Sequence, residues 1–508
     1  MNAAGKFLIV APNTESVFQN VQSVQQELNQ WFVEQTYGLV GLGFAVTEAS
    51  CNDFIGNRFK GLMNKLFQQL EVTKLQRLDL TDSTPSIQNI DYSHGVCRLN
   101  SRFPAAAEGK LSTMSDDQVM IGEQLVKKDR ILICEENVDI FKAADTKQLK
   151  SPIFGYNIVF TKGEEETGKF GKLVESGELL RCWDFSLPKN TQEKVWNGYA
   201  RRYINAYIPV FDEENRYSSA KYTVSAEAKS QLNNGGIKTL DYIACEDRKL
   251  KDSDNKWIGQ SALMTLKGDV DNLGAIFQKG LETPTFAKIA ALSRQMNQFF
   301  SLWLPTYCAE KHKNCYTVFA GGDDFLLLGP WHSTQQLAFE MHKEFKSYVA
   351  ENTEIHFSAG LVMSKVGLPV LRLGELAELA LENAKSLDGK NAVTIFNRSI
   401  SWRDWQYLRD LEDEIERLAE DYSISTSYLY SLIHLAEQAE LAKSSASLEA
   451  NIWRSRFAYR TARYVLDKQK KEERARVLNQ LTRALGNGLE RYGKDFNIPL
   501  FNYFYKQR

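Results

Sequence analysis

Cys315–Pro330 reads CYTVFAGGDDFLLLGP. Two apolar, β-prone runs, Tyr316–Ala320 and Phe325–Leu328, flank Gly321-Gly322-Asp323-Asp324, which predicts a tight hairpin because glycine supplies the positive φ that a short turn demands. The turn carries two adjacent carboxylates. Like charges this close resist joint ionisation, so the pair is costly unless a cation sits on it. The stretch therefore reads as a metal-binding hairpin.

Working outward, Ala262–Val270 (ALMTLKGDV) alternates as a strand does and runs into Asp271-Asn272-Leu273-Gly274 and the apolar Ala275-Ile276-Phe277. A strand that ends near Asp269 and passes through a glycine-containing turn into a helix offers backbone N–H groups to an anion. If this strand pairs with the hairpin, Asp269 converges on Asp323 and Asp324. Mg²⁺ suits such a set, since it takes one or two carboxylates and completes its octahedron with water and substrate phosphates. A lone GGDD turn is weak evidence; the two segments together, about 50 residues apart with helical sequence between them, carry the reading.

The surrounding pattern completes one domain. Phe286–Leu304 and Gln335–Ala350 have the helical period, Glu354–Met363 reads as strand, Leu371–Ser386 as amphipathic helix and Asn391–Phe396 as strand. Strand, helix, hairpin, helix, strand is the ferredoxin-like order.

On these residues the region 255–400 resembles the catalytic palm of the large, signature subunit of type III CRISPR–Cas effector complexes, a palm shared with GGDEF-type cyclases. The flanks resemble that family too: Gly5–Asn13 and Tyr37–Thr47 the end of a degenerate first palm, Arg58–Leu80 the long helix after it, and 401–508 the helical C-terminal domain. The resemblance implies an α+β chain with two ferredoxin-like palm/cyclase domains, the first partial, a mixed α/β region between them and a helical C-terminal domain. The expected boundaries are 1–80, 81–254, 255–400 and 401–508.

The resemblance also implies an activity: synthesis of cyclic oligoadenylates from ATP, switched on by target RNA, at a two-metal site holding Mg²⁺ or Mn²⁺. Carried over position by position, Asp269, Asp323 and Asp324 are the catalytic metal ligands. Asp271, Asn272, Leu273, Gly274, Gly321, Gly322, Lys385, Lys390 and Ser358 are the ATP-binding residues. For the two lysines a solvated helix end is the alternative, and for Ser358 a sheet hydroxyl that faces no ligand. The implied partners are CRISPR RNA, target RNA and the backbone and small subunits of a multi-subunit antiviral complex. Two other readings stand beside this one: a GGDD transferase making a dinucleotide or an AMP conjugate, and a non-catalytic scaffold of the RNA-guided complex.

Departures from the family pattern matter as well. None of the six histidines is followed by Asp, so no HD nuclease centre is expected. Ala3-Ala4-Gly5 stands where a first GGDD would. The half-palm before it is expected to come from a separate chain or a missing segment, because an open sheet edge is normally covered. Cys97 sits where a zinc finger begins, but Asn100 holds the partner position; structural zinc wants four Cys/His ligands, so zinc is not expected.

Composition excludes other classes. Hydrophobic content of 43%, 25% charged residues and a net charge of −2 describe an ordinary globular chain with no global nucleic-acid field. Seven scattered cysteines suggest reduced thiols, and no apolar run approaches a membrane span; a cytoplasmic location and no membrane contact are expected. Locally, residues 451–508 hold 14 Lys/Arg against 5 Asp/Glu, with Arg454, Arg456, Arg460, Arg463 and Tyr459 at helical spacing. That stretch could track a phosphate backbone, dock a subunit, or pair with the acidic residues 404–421 in its own domain. Thr161–Lys172 and Glu246–Lys256, polar and charged, read as surface loops.

Overall fold

The computed structural model describes residues 2–3, 6–76, 89–136, 148–151, 154–162, 173–193, 200–204, 207–212, 216–217, 220–251, 255–444 and 448–508. Ala4, Gly5, residues 77–80 and 252–254 and most of the loop Thr161–Lys172, all singled out above, lie outside the described residues. The chain divides into two units, Met1–Asn205 with Asn272–Leu302, and Ala206–Asp271 with Trp303–Arg508.

The second unit is built on a six-stranded sheet. Its strands are β1 (Leu263–Val270), β2 (Tyr316–Gly321), β3 (Asp324–Pro330), β4 (Phe357–Ser364), β5 (Ala392–Ile395) and β6 (Arg398–Ser401), hydrogen-bonded in the order β2-β3-β1-β4-β5-β6. The first four stand in the ferredoxin-like arrangement, with β1 between the hairpin strand β3 and β4, antiparallel to both. Leu263, Met264, Thr265 and Leu266 are all buried, as expected of a central strand covered on both faces.

Two close approaches fix this core. Gly268 lies opposite Phe325 in the β1–β3 ladder, and a Cβ there would overlap the Phe325 ring. That ring is fully buried, edge-on to Phe357, and has no room to give. Gly268→Ala is therefore expected to cost about 1–3 kcal/mol. Chemical denaturation is the check: Phe325→Leu added to Gly268→Ala should recover part of the loss, and an unperturbed single variant would refute the packing argument.

Helices follow the strands as the periodicity predicts: α1 (Trp331–Tyr348), α2 (Val370–Lys385) and α3 (Trp402–Asp421). Strand β6 was not foreseen. It pairs with β5 through the two-residue turn Phe396-Asn397, both residues at positive φ, the requirement of a I′ hairpin. Beyond α3, helices from Thr426 to Gln507 enclose a core around Leu432, Leu435, Phe457, Leu485 and Phe496. Here the acidic and basic stretches meet through Lys506, which pairs with Glu412 at 2.5 Å and Glu416 at 2.6 Å. The arginines of Trp453–Tyr464 turn elsewhere, Arg454 to Glu490, Arg460 to the Ser431 carbonyl and Arg463 to the Tyr459 hydroxyl.

The first unit carries a five-stranded sheet over Arg130–Glu135, Gln148–Ser151, Tyr156–Thr161, Leu179–Asp184 and Ala200–Arg201. Helix Thr113–Lys127, capped by the Ser112 hydroxyl, lays Met120, Ile121 and Leu125 against it. Near the start of the chain the helices Glu15–Thr36 and Asn57–Leu75 form as expected. The expected strand over Tyr37–Thr47 does not: residues 39–50 have no regular structure, and Leu39, Val40 and Val46 face solvent. An extended segment becomes a strand only beside a ladder partner, and the described residues give this one none. At the degenerate finger, Asn100 accepts from the Arg102 and Phe103 amides at 2.9 Å and donates to Ser115 Oγ at 2.8 Å, so hydrogen bonds hold that loop.

Candidate active site

Pairing of β1 with β3 sets the site. The register places Asp269 opposite Asp324 on one side and opposite Ser358 of β4 on the other. Gly321 pairs with Asp324, leaving Gly322-Asp323 as a two-residue loop with Gly322 at φ +70°. A positive φ at the first loop position is what a II′ hairpin requires. The Val270 amide donates to the Asp323 carbonyl at 3.1 Å, fastening the loop to the end of β1.

Three carboxylates therefore stand at the junction of β1 and the hairpin. Burial, then the Asp269 charge, pushes the Asp323 carboxyl up to about 6. Burial also raises Asp324, against the opposing charge of Lys267. Asp324 Oδ1 is buried with no hydrogen-bond partner, an arrangement that a neutral neighbourhood would leave costly. Among the described residues no three His, Cys, Asp or Glu side chains are gathered into a complete metal cage. The orphaned Asp324 oxygen beside two further carboxylates nonetheless fits Mg²⁺ or Mn²⁺, which take only one or two protein ligands beside substrate phosphates.

Two lysines border the acids. Lys385, the last residue of α2, donates to Asp269 Oδ2 at 2.6 Å. Burial works against its charge, but the Asp269 bond and charge outweigh it and hold its pKa above the ordinary value. Lys267, two residues before Asp269 on the same face of β1, pairs with Glu378 of α2. Neither Lys267 nor Glu378 was anticipated; the period-2 pattern of LKGD contained the signal. Lys390 lies in the turn before β5 at φ +51°.

Asp271 and Ser358 sit in a buried knot. The Asp271 side chain is inaccessible to solvent and takes three donors: Ser358 Oγ at 2.9 Å, the Asn391 amide at 3.1 Å and His356 Nδ1 at 2.7 Å. Its own amide donates to the His356 carbonyl. The knot joins the end of β1, the start of β4 and the turn into β5, so the Ser358 hydroxyl is committed to Asp271. His356 was not foreseen, because only the β1–β4 register brings it within reach of Asp271. Next in the chain, Asn272 adopts φ +55° at the N-cap position of the helix Leu273–Lys279, with no side-chain capping bond; Leu273 is buried and Gly274 has open space where a Cβ would stand.

A four-stranded ferredoxin-like sheet with acids at its central strand end and adjoining hairpin defines a palm domain of the nucleotidyltransferase and cyclase type. The sequence profile of the Cas10/Cmr2 second palm domain matches residues 262–394, and that of Csm1 subunit domain B matches residues 1–89. By these matches the chain is similar to the Cas10/Csm1 family, the large subunits of type III-A CRISPR systems.

Three relatives carry the name CRISPR system single-strand-specific deoxyribonuclease Cas10/Csm1 (subtype III-A). That of Mycobacterium tuberculosis is 20% identical over 484 residues, 86% of this chain and 53% of the relative. That of Thermococcus onnurineus is 29% identical over 436 residues, 78% of this chain and 48% of the relative. That of Methanocaldococcus jannaschii is 32% identical over 186 residues, 32% of this chain and 23% of the relative. The chain thus spans about half the length, or less, of these relatives. Among solved structures, the apo Csm1–Csm4 cassette superposes with a TM-score of 0.66 at 17% identity, covering all of this chain and 62% of that one. The cassettes with cA3 and with one ATP each give 0.61, at 16% and 18% identity, covering 100% and 99% of this chain and 62% of theirs. At this identity the likeness is one of fold. No helix among the described residues is long and apolar enough to cross a membrane.

Proposed function

We propose that this chain is the palm-bearing subunit of an RNA-guided type III-A complex and joins ATP into cyclic oligoadenylates when target RNA is bound. The observation that carries the reading is the acid set Asp269, Asp323 and Asp324, drawn to one strand junction with an orphaned Asp324 oxygen and an up-shifted Asp323. Structural neighbours captured with ATP and with cA3 support it. The 3′-hydroxyl of one ATP attacks the α-phosphate of another, and pyrophosphate leaves. When bound at the three acids, two Mg²⁺ or Mn²⁺ ions supply charge neutralisation at the attacking and leaving oxygens.

The chain's own residues position the reactants, which is most of what phosphoryl and nucleotidyl transfer requires. Asp269, Asp323 and Asp324 are the ion-holding groups. Lys385 and Lys390 offer cations to the triphosphate, and Gly321 and Gly322 let substrate approach the hairpin. Asp271 and Ser358 act from below as a brace. The partners proposed are CRISPR RNA, target RNA and a Csm4-like subunit, the last supported by the Csm1–Csm4 neighbours. All seven cysteines are unpaired, which suits a reducing cytoplasm. The deoxyribonuclease activity in the relatives' names is not carried over to these 508 residues, in which no histidine precedes an Asp. The test is product analysis: adenylate rings from ATP in the assembled complex support the proposal, and no adenylate product overturns it.

A further inference from the structure

Lys385 Nζ lies 2.6 Å from Asp269 Oδ2 and 3.7 Å from Glu382 Oε1. Lys267 is held by Glu378, and Lys385 is in direct contact with the Asp269 carboxylate at the β1–hairpin junction. It occupies one oxygen of the carboxylate best placed to take an ion together with Asp324. The contact is only partly buried, with 20% of the lysine side chain and 26% of the Asp269 side chain accessible. A four-carbon stem with free rotors lets an ammonium swing between partners. Glu382, one turn earlier on α2, gives it a second place to rest.

We infer that Lys385 is an exchangeable stand-in for the divalent cation: it neutralises Asp269 in the ion-free site, and yields that carboxylate and moves to nucleotide phosphate when the cation and ATP enter. The inference rests on the proposed function, because it takes Asp269 as an ion ligand. It adds that one side chain opposes binding of the ion alone and favours binding of the ion–nucleotide pair. Negative charge at the junction is then never left without a cation, in an environment where a bare carboxylate cluster is costly. It also means that the free ion gains little at this site until nucleotide arrives to receive the lysine.

The signs of the two effects are opposite, and that makes the inference sharp. Mn²⁺ binding to the full chain is read by electron paramagnetic resonance without nucleotide, and Mn²⁺·ATP binding is read separately by calorimetry. In Lys385→Met, Mn²⁺ alone is expected to bind roughly threefold to tenfold more tightly, the change expected when a half-buried competing ion pair is removed. Mn²⁺·ATP is expected to bind roughly tenfold more weakly. Lys385→Arg, which keeps the charge, should restore the wild-type order of both. Mn²⁺ affinity that is unchanged or weaker in Lys385→Met overturns the exchange while leaving the ion site standing. Absence of any Mn²⁺ binding by the wild-type chain that Asp323→Ala with Asp324→Ala can remove overturns the ion site itself.

Discussion

Alanine at both Asp323 and Asp324 is expected to abolish ATP-dependent synthesis, a loss of at least about 10²-fold, with assembly and RNA binding intact. Both side chains sit at a hairpin turn that is fastened by backbone, through the Val270 amide and the Asp323 carbonyl. The substitution therefore removes charge and leaves the register of β1 and β3 in place. Synthesis assayed beside complex assembly separates the outcomes: loss of assembly would make the hairpin structural. A related effect appears in stability. Asp323 is raised to about 6 by burial and by Asp269, so the folded chain binds its proton more tightly than the unfolded chain does. The stability this group lends is full below the ordinary Asp pKa and is lost as pH rises through about 6. Asp323→Asn should thus raise the thermal midpoint of the ion-free protein by a few degrees at pH 8, with the gain vanishing below about pH 4. Mg²⁺ or Mn²⁺ together with ATP should stabilise the wild type more than this variant.

Asp271→Ala is expected to destabilise the second unit by about 2–3 kcal/mol, because it strands the buried Ser358 hydroxyl and the Asn391 amide without their acceptor. Asp271 differs from Asp269 in kind although only one residue separates them. Asp269 faces the site and a lysine; Asp271 has no solvent access and three protein donors. Its loss should loosen the end of β1, the start of β4 and the turn carrying Lys390 together. Urea denaturation gives the measurement, and hydrogen exchange at Val270 and Ala392 locates it. A variant as stable as wild type, with weakened ATP binding alone, would return Asp271 to the substrate.

What could be read from the chain follows the range of the interaction that fixes each feature. The hairpin was legible because its strands, turn glycine and acids are contiguous, and the helices because their period is local. Strand β6 was hidden by its turn: Phe396-Asn397 adopts two positive φ values without the Asn-Gly signal that usually marks one. The Asp271–His356–Ser358 knot depends on partners 85 and 87 residues away, so nothing near Asp271 in sequence distinguishes a brace from a ligand contact. Lys385 was legible by resemblance, its grip on Asp269 only by register. Tyr37–Thr47 had strand-like composition, yet a strand is a property of a pair, and sequence alone did not reveal that the described residues give it no ladder partner.

The central claim is that the acids of β1 and the GGDD hairpin make adenylate rings under RNA control. It is tested most directly by incubating the assembled complex with ATP and Mg²⁺ or Mn²⁺, with and without complementary target RNA, and resolving the products by mass spectrometry. Cyclic oligoadenylates that form only with target RNA, and not in the Asp323→Ala, Asp324→Ala variant, are the predicted result. An assembled, RNA-bound complex that leaves ATP unchanged, or a double-alanine variant that makes the same product, would contradict it.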